Sequence, residues 1–221
     1  MRIAATQPFR GAAWDELPVV TVLETWPPAE PLSGIQILLE AVVPVGTGEL
    51  ELLPDLRLVA NYGVGYDNVD VAACRERGIA VTNTPGVLDA AVAELTLALM
   101  LACRRDLVVS DRFIRDGQWD SIWSRPRRLG RDLIGSTLGL VGKGRIGSEV
   151  ARRAEAFGMR VVHHRRSDGL PLEELLRTAD VVSLHVPLTP ETQGLLSRER
   201  LALLQDGAAL LNTARGAIVD E

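Results

Sequence analysis

The sequence predicts an α/β fold in which parallel strands are covered by helices on both faces. Two observations predict it. In the second half of the 221 residues, short apolar runs alternate with helical stretches, the pattern of a parallel sheet buried on both sides. The first third repeats that alternation in shorter pieces. With 47% hydrophobic and 24% charged residues, the chain has ample apolar material to offset the entropy of ordering. Its length allows one large domain or two small ones, and no internal repeat of the solenoid kind is present.

In the first third, Ile35 to Leu39, Leu58 to Asn61 and Ile79 to Thr82 read as strands, each bounded by turn residues. Pro18, Pro27, Pro28, Pro31 and Pro44 obscure the strand pattern before and between them. A helix is expected from Val69 to Arg77, with Gly78 as its C-cap. From Asp89 to Arg105 the chain is rich in alanine and leucine, which predicts a long helix with Asp89 as N-cap. Its centre is apolar almost all round, so it needs the cover that an interdomain or intersubunit helix receives. Residues 117–136 read as a loop whose Trp119, Trp123, Pro126 and arginines suit an anchoring segment. Strands then follow at Thr137 to Val141, Arg160 to His164, Val181 to His185 and Ala208 to Asn212. Helices fall at Ile146 to Ala156, Leu172 to Thr178 and Ser197 to Leu204.

Composition excludes several classes of function. A net charge of -5 and a pI near 5.3 argue against a nucleic-acid partner, which needs a basic face. No run reaches the ~18 apolar residues of a membrane helix, and the N-terminus lacks a signal-peptide core. Cys74 and Cys103 both sit in helix-like surroundings, which argues against a disulfide or a cysteine metal site; no metal is expected. A soluble, cytoplasmic protein is the expectation. Lys143 is the only lysine, so a single arginine carries little weight as a signal.

Thr137-Leu-Gly-Leu-Val141 runs straight into Gly142-Lys-Gly-Arg-Ile-Gly147 at the head of a helix. This strand–turn–helix setting gives a G-x-G-x-x-G pattern its meaning. Gly142 permits the tight turn, Gly144 lets a pyrophosphate approach the backbone, and Gly147 lets helix and strand pack closely. The next strand ends His163-His164-Arg165-Arg166-Ser167 instead of in the acidic residue that holds the ribose of NAD. Two guanidiniums and a hydroxyl suit a ribose 2′-phosphate, so NADP(H) is favoured. Asp168 keeps NAD(H) open, as a ribose acceptor if the strand runs longer.

Further blocks carry a resemblance. They are Asn61-Tyr-Gly-Val-Gly-Tyr-Asp-Asn-Val-Asp70, Arg77-Gly-Ile-Ala-Val-Thr-Asn-Thr-Pro-Gly86 and Ala91-Val-Ala-Glu94. The glycine turn follows, then Ala179-Asp-Val-Val-Ser-Leu-His-Val-Pro-Leu-Thr-Pro-Glu-Thr192 and Asn212-Thr-Ala-Arg-Gly-Ala-Ile-Val-Asp-Glu221. In this order the chain resembles the D-isomer-specific 2-hydroxyacid dehydrogenases, which include glyoxylate/hydroxypyruvate reductases and 3-phosphoglycerate dehydrogenases. The resemblance implies two Rossmann-like domains: an incomplete, flavodoxin-like substrate domain over residues 1–90 and an NAD(P)-binding domain, truncated at its C-terminus, over 91–221. It implies hydride transfer between NAD(P)H and a small 2-keto or 2-hydroxy acid. The amides of Val64 and Gly65 would hold the substrate carboxylate. Arg215 would bind carboxylate and keto oxygen and polarise the carbonyl. Arg145 and Ile146 would lie under the pyrophosphate, and Val186, Pro187, Thr192, Thr213 and Ala214 would line the adenosine and nicotinamide pockets. Thr96 would approach the nicotinamide or simply pack its helix. A homodimer is implied as well.

The chain also departs from the family pattern. The glutamate and histidine that follow the arginine are not found before Glu221, and His163, His164 and His185 do not occupy their place. Four strands are expected in the second domain, where a complete dinucleotide fold has about six. Ala208 to Asn212 would then be an open edge that invites another chain. Weak activity, or a non-catalytic dinucleotide-binding protein, is the alternative these departures raise.

Overall fold

A parallel sheet of five strands fills the first of the two units into which the chain divides, Met1–Val87 and Leu88–Glu221. The computed structural model describes residues 2–121, 123 and 129–221. In chain order the first unit contains β1 (Ile3–Ala5), α1 (Ala12–Asp15), β2 (Val20–Val22), β3 (Ile37–Glu40), α2 (Thr47–Glu51), β4 (Leu58–Asn61), α3 (Val71–Glu76) and β5 (Ala80–Thr82). The strand order is β2-β1-β3-β4-β5, with every pairing parallel. This is the order of flavodoxin-like sheets, which bind ligands beyond the strand ends where the order reverses, between β1 and β3. Leu38, Val59 and Ala4 are fully buried with Leu50, Leu53 and Cys74 in one apolar cluster. The helix expected from Val69 starts at Val71, because the Asp70 side chain caps it by accepting from the Ala73 amide at 2.9 Å. It ends at Glu76 with Arg77 as its C-cap, one residue before the expected Gly78, which follows at φ +69°.

The second unit opens with α4 (Asp89–Arg104) and α5 (Leu107–Arg115). It continues with β6 (Thr137–Val141), α6 (Arg145–Ala156), β7 (Arg160–His164), α7 (Leu172–Thr178), β8 (Val181–Leu184), α8 (Arg198–Leu201), β9 (Ala209–Asn212) and a 3₁₀ turn at Gly216–Ile218. Its parallel sheet has the order β7-β6-β8-β9, so the reversal falls between β6 and β8. One apolar cluster joins Ala93, Leu97 and Met100 of α4 and Val150 and Ala154 of α6 to Leu138 and Leu140. A second joins Leu172, Leu175 and Leu176 of α7 to Val141, Val182 and Leu184. Strand β6 is buried at all five positions, which suits the uncharged run Leu138–Val141 that follows Thr137.

One expectation changes here. Asp89 is the first residue of α4 and not its N-cap, a place Leu88 holds without a side-chain bond; the Asp89 carboxylate lies 3.5 Å from Arg145 Nε. Helix α4 is covered on one face only, leaving Leu95 and Leu99 exposed within this chain. Trp119 and Trp123 are exposed too, while Pro126 and its neighbouring arginines lie outside the described residues. Among the described residues no helix is long and apolar enough to cross a membrane.

Candidate functional site

At the reversal between β6 and β8 the backbone turns sharply into α6. Gly142 sits at φ +93°, and its amide donates to the His164 carbonyl at 2.9 Å. A Cβ there would lie 2.6 Å from the His185 carbonyl oxygen and 2.8 Å from Val186 Cγ1, so only glycine fits under the β8 connection. A Cβ at Gly147 would collide with the Gly142 carbonyl oxygen. Gly144 differs: a Cβ there meets nothing within 4 Å. Gly144 is also the N-cap of a twelve-residue helix and supplies no side-chain cap. Open space beside an uncapped helix start, at a strand-order reversal, fits the pyrophosphate of a dinucleotide. Ile146 tucks its side chain against the apolar cluster, and the Arg145 side chain turns toward Asp89.

Strand β7 ends at His164, and Arg165, Arg166, Ser167 and Asp168 form an exposed turn beyond it. The turn is organised around one carboxylate. Asp168 accepts from Ser167 Oγ at 3.0 Å, its Oδ2 lies 3.0 Å from His163 Nε2, and Arg165 Nε stands 3.6 Å away. The hydrogen bond with His163 holds the Asp168 carboxyl below its usual range, with Ser167 and the Arg165 charge adding to the effect.

Beyond β8, His185 is mostly buried. Its Nε2 lies 2.9 Å from Ser183 Oγ, and burial lowers its pKa to about 4. It is therefore neutral near pH 7 and lacks the imidazolium proton that a general acid would give up. Thr192 closes the following loop, its hydroxyl donating to the Pro187 carbonyl at 2.6 Å and accepting from the Thr189 amide at 2.8 Å. Beyond β9, Asn212 clamps the turn: Nδ2 donates to the Arg215 carbonyl at 2.8 Å and Oδ1 accepts from the Ala214 amide at 3.0 Å. Thr96 is fully buried, donates to the Val92 carbonyl at 2.8 Å and lies 3.2 Å from the Thr213 hydroxyl. It ties α4 to this turn.

In the first unit the loop after β4 is held by its carbonyl groups. Asn61 Nδ2 donates to the Gly63 and Gly65 carbonyls at 3.3 and 2.8 Å. Asn83 Nδ2 donates to the Val64 carbonyl at 2.8 Å, and the Thr84 amide to the Gly63 carbonyl at 3.0 Å. With the carbonyls engaged from these sides, the peptide planes bearing the Val64 and Gly65 amides are fixed, as a carboxylate cradle requires.

Neighbouring Glu40, at the end of β3, escaped the sequence reading. It is fully buried; Oε2 accepts from Asn68 at 2.9 Å, while Oε1 has no partner among the described residues. Burial raises its pKa against the opposing bonds from Asn68 and the Val43 backbone. An acid with a raised folded pKa gives stability that is intact below its unfolded pKa and lost as pH climbs through the folded value. Glu40→Gln should therefore unfold at a similar denaturant concentration to the parent at acid pH and at a higher one at alkaline pH. A constant difference across pH would show that Glu40 does not titrate in this way.

The description "D-isomer specific 2-hydroxyacid dehydrogenase, NAD binding domain" belongs to the family model that matches residues 97–221. The glyoxylate reductase of Korarchaeum cryptofilum is 47% identical over 189 residues, covering 80% of this chain and 57% of that protein. The crystal structure of a Thermus thermophilus protein superposes with a TM-score of 0.88 at 48% identity, over 100% of this chain and 76% of its own. The NADPH-dependent glyoxylate/hydroxypyruvate reductase of Sinorhizobium meliloti, in complex with NADP and malonate, gives a TM-score of 0.88 at 31% identity, over 99% and 72%. This chain spans little more than half the length of the first curated relatives it matches.

Proposed function

We propose that this chain, which belongs to the D-isomer-specific 2-hydroxyacid dehydrogenase family, transfers a hydride between a nicotinamide dinucleotide and a small 2-keto or 2-hydroxy acid of the glyoxylate or hydroxypyruvate type. The observation that carries this reading is the glycine turn Gly142–Gly147, with open space at Gly144 where a pyrophosphate would sit. A bound reduced nicotinamide supplies the hydride. The chain's own residues bind and polarise. Gly142, Gly144, Arg145, Ile146 and Gly147 offer backbone to the pyrophosphate. Arg165, Arg166 and Ser167 favour the 2′-phosphate of NADP(H) over NAD(H). Val186, Pro187, Thr192, Thr213 and Ala214 line the two ends of the dinucleotide, with Thr96 supporting Thr213. The Val64 and Gly65 amides hold the acid's carboxylate, and Arg215 draws electron density from its keto oxygen. Residues Met1–Val87 thus serve the substrate and Leu88–Glu221 the coenzyme, in the cytoplasm.

Titrating NADPH and NADH against tryptophan fluorescence, then following NADPH oxidation on addition of glyoxylate, tests the reading. Saturable binding with turnover supports it. Binding without turnover of any small 2-keto acid would favour a non-catalytic dinucleotide-binding protein, and no binding of either nucleotide would overturn the reading.

A homodimer belongs to the same proposal. Leu95 and Leu99 on α4 and Val108, Val109 and Ile114 on α5 are exposed within this chain, and together with Trp119 and Trp123 they favour burial against a second copy. Light scattering should give twice the 23.9 kDa of one chain; a monomer at all concentrations would refute it.

A further inference from the structure

We propose that Glu40 is a positioning residue for the Val64 and Gly65 amides, because it holds both ends of the loop that carries them. This rests on the reading above, in which those amides receive the substrate carboxylate, and brings into it a residue outside the loop. Glu40 closes β3. Its carbonyl accepts from the Tyr62 amide at 2.7 Å, where the loop leaves β4, and its Oε2 accepts from Asn68 Nδ2 at 2.9 Å, where the loop returns. Val64 and Gly65 lie between these two anchors. Asn68 Nδ2 also donates to the Val43 carbonyl at 2.7 Å, and the Asn68 carbonyl accepts from the Val45 amide at 2.8 Å, which ties the loop to the turn after β3. Val42 in that turn sits at φ +59°, a conformation a β-branched residue keeps only where its surroundings impose it.

An acid at this place is costly, and the sheet register shows why. Glu40 pairs with Asn61 of β4, and Thr6 continues β1 on its other side, the Thr6 amide donating to the Leu39 carbonyl at 3.0 Å. Thr6, Glu40 and Asn61 follow Ala4, Leu38 and Val59 by two residues each, so they stand on the face that holds the apolar cluster. Glu40 Oε1 and Thr6 Oγ1 are both buried without a partner among the described residues. Burying such oxygens unpaired is unfavourable. An aliphatic side chain in place of Glu40 would bring no such penalty, yet it could not accept from Asn68. What the carboxyl supplies is a fixed loop, and amides fixed before the substrate arrives bind its carboxylate without first being ordered.

Two measurements on the full chain test this: steady-state reduction of glyoxylate at saturating NADPH, and calorimetric titration of the NADPH-bound protein with oxamate, an unreactive 2-keto acid analogue. Glu40→Leu should raise KM for glyoxylate and Kd for oxamate about three- to tenfold, with kcat within about twofold. Glu40→Gln keeps an acceptor for Asn68 and should restore both constants. In an Asn68→Ala background Glu40→Leu should add little, since the bond it removes is already gone. Parent-like constants in Glu40→Leu would overturn the inference, as would a loss that Glu40→Gln shares in full, which would belong to the core and not to the bond with Asn68. Should Glu40→Leu melt early, Asn68→Ala removes the same bond from its other side, and parent-like constants there would overturn the inference equally. If the parent binds oxamate and the variants match it, only this inference falls. If the parent neither binds oxamate nor reduces glyoxylate, the reading of the Val64 and Gly65 amides falls and takes this inference with it.

Discussion

Arg215→Ala should lower kcat/KM for the reduction of glyoxylate by about 10²–10³ while leaving the Kd for NADPH within about twofold. The residue stands just past the carboxyl end of β9, the side of a parallel sheet on which ligands bind. Its backbone is fixed by other groups. Asn212 holds the Arg215 carbonyl and the Ala214 amide, and fully buried Ile218 anchors the 3₁₀ turn that follows. Truncating the side chain therefore removes the cation together with its own bond to the Ala214 carbonyl at 3.0 Å, and leaves the Asn212 clamp on the turn in place. Arg215→Lys should recover little, because an ammonium is a point charge and lacks the planar fork that grips a carboxylate and a keto oxygen together. Activity retained in both variants would remove Arg215 from the reaction. Loss of nucleotide affinity in step with activity would instead make it part of the coenzyme site.

How far this site could be read in the sequence depends on which groups do the work. The glycine turn was legible because each glycine acts through its own backbone, and the strand before it and the helix after it are both strongly patterned. Strands β6 and β7 and helix α7 have the bounds expected of them, since apolar runs buried in a sheet or under a helix leave little ambiguity. Strands β1 and β2 are three residues long, and β2 exposes Val22, so neither offers enough alternation to detect. Helix α5 escapes because it buries no residue and carries the β-branched pair Val108 and Val109 in its first turn. The clamps around the Val64–Gly65 loop are illegible for another reason. Glu40 meets Asn68, and Asn83 meets Val64, across 28 and 19 residues of sequence. Only the register of β3, β4 and β5 brings them together. The Asp168 turn is local, yet its closure onto its own carboxylate has no periodic signature, so the sequence alone does not show it.

The glycine turn permits a sharper test, since its three glycines are constrained for different reasons. Gly144→Ala should leave the melting temperature nearly unchanged and weaken NADPH and NADH binding by at least about tenfold. Gly144 has φ -82°, which alanine adopts without strain, and its Cβ would meet nothing within 4 Å. The methyl group would fill only the space reserved for the pyrophosphate and hold it off the amides that begin α6. Gly147→Ala should behave in the opposite sense. Its Cβ would be driven into the Gly142 carbonyl, so α6 must shift away from β6, at a cost of about 1–3 kcal/mol or more. Gly142→Ala adds the strain of φ +93° to a 2.6 Å approach to the His185 carbonyl and should destabilise the fold as well. Denaturation and nucleotide titration of the three variants therefore separate two roles, packing at Gly142 and Gly147 and ligand access at Gly144. Should Gly144→Ala bind both nucleotides as tightly as the parent, the pyrophosphate does not approach this backbone, and the turn is a packing device alone.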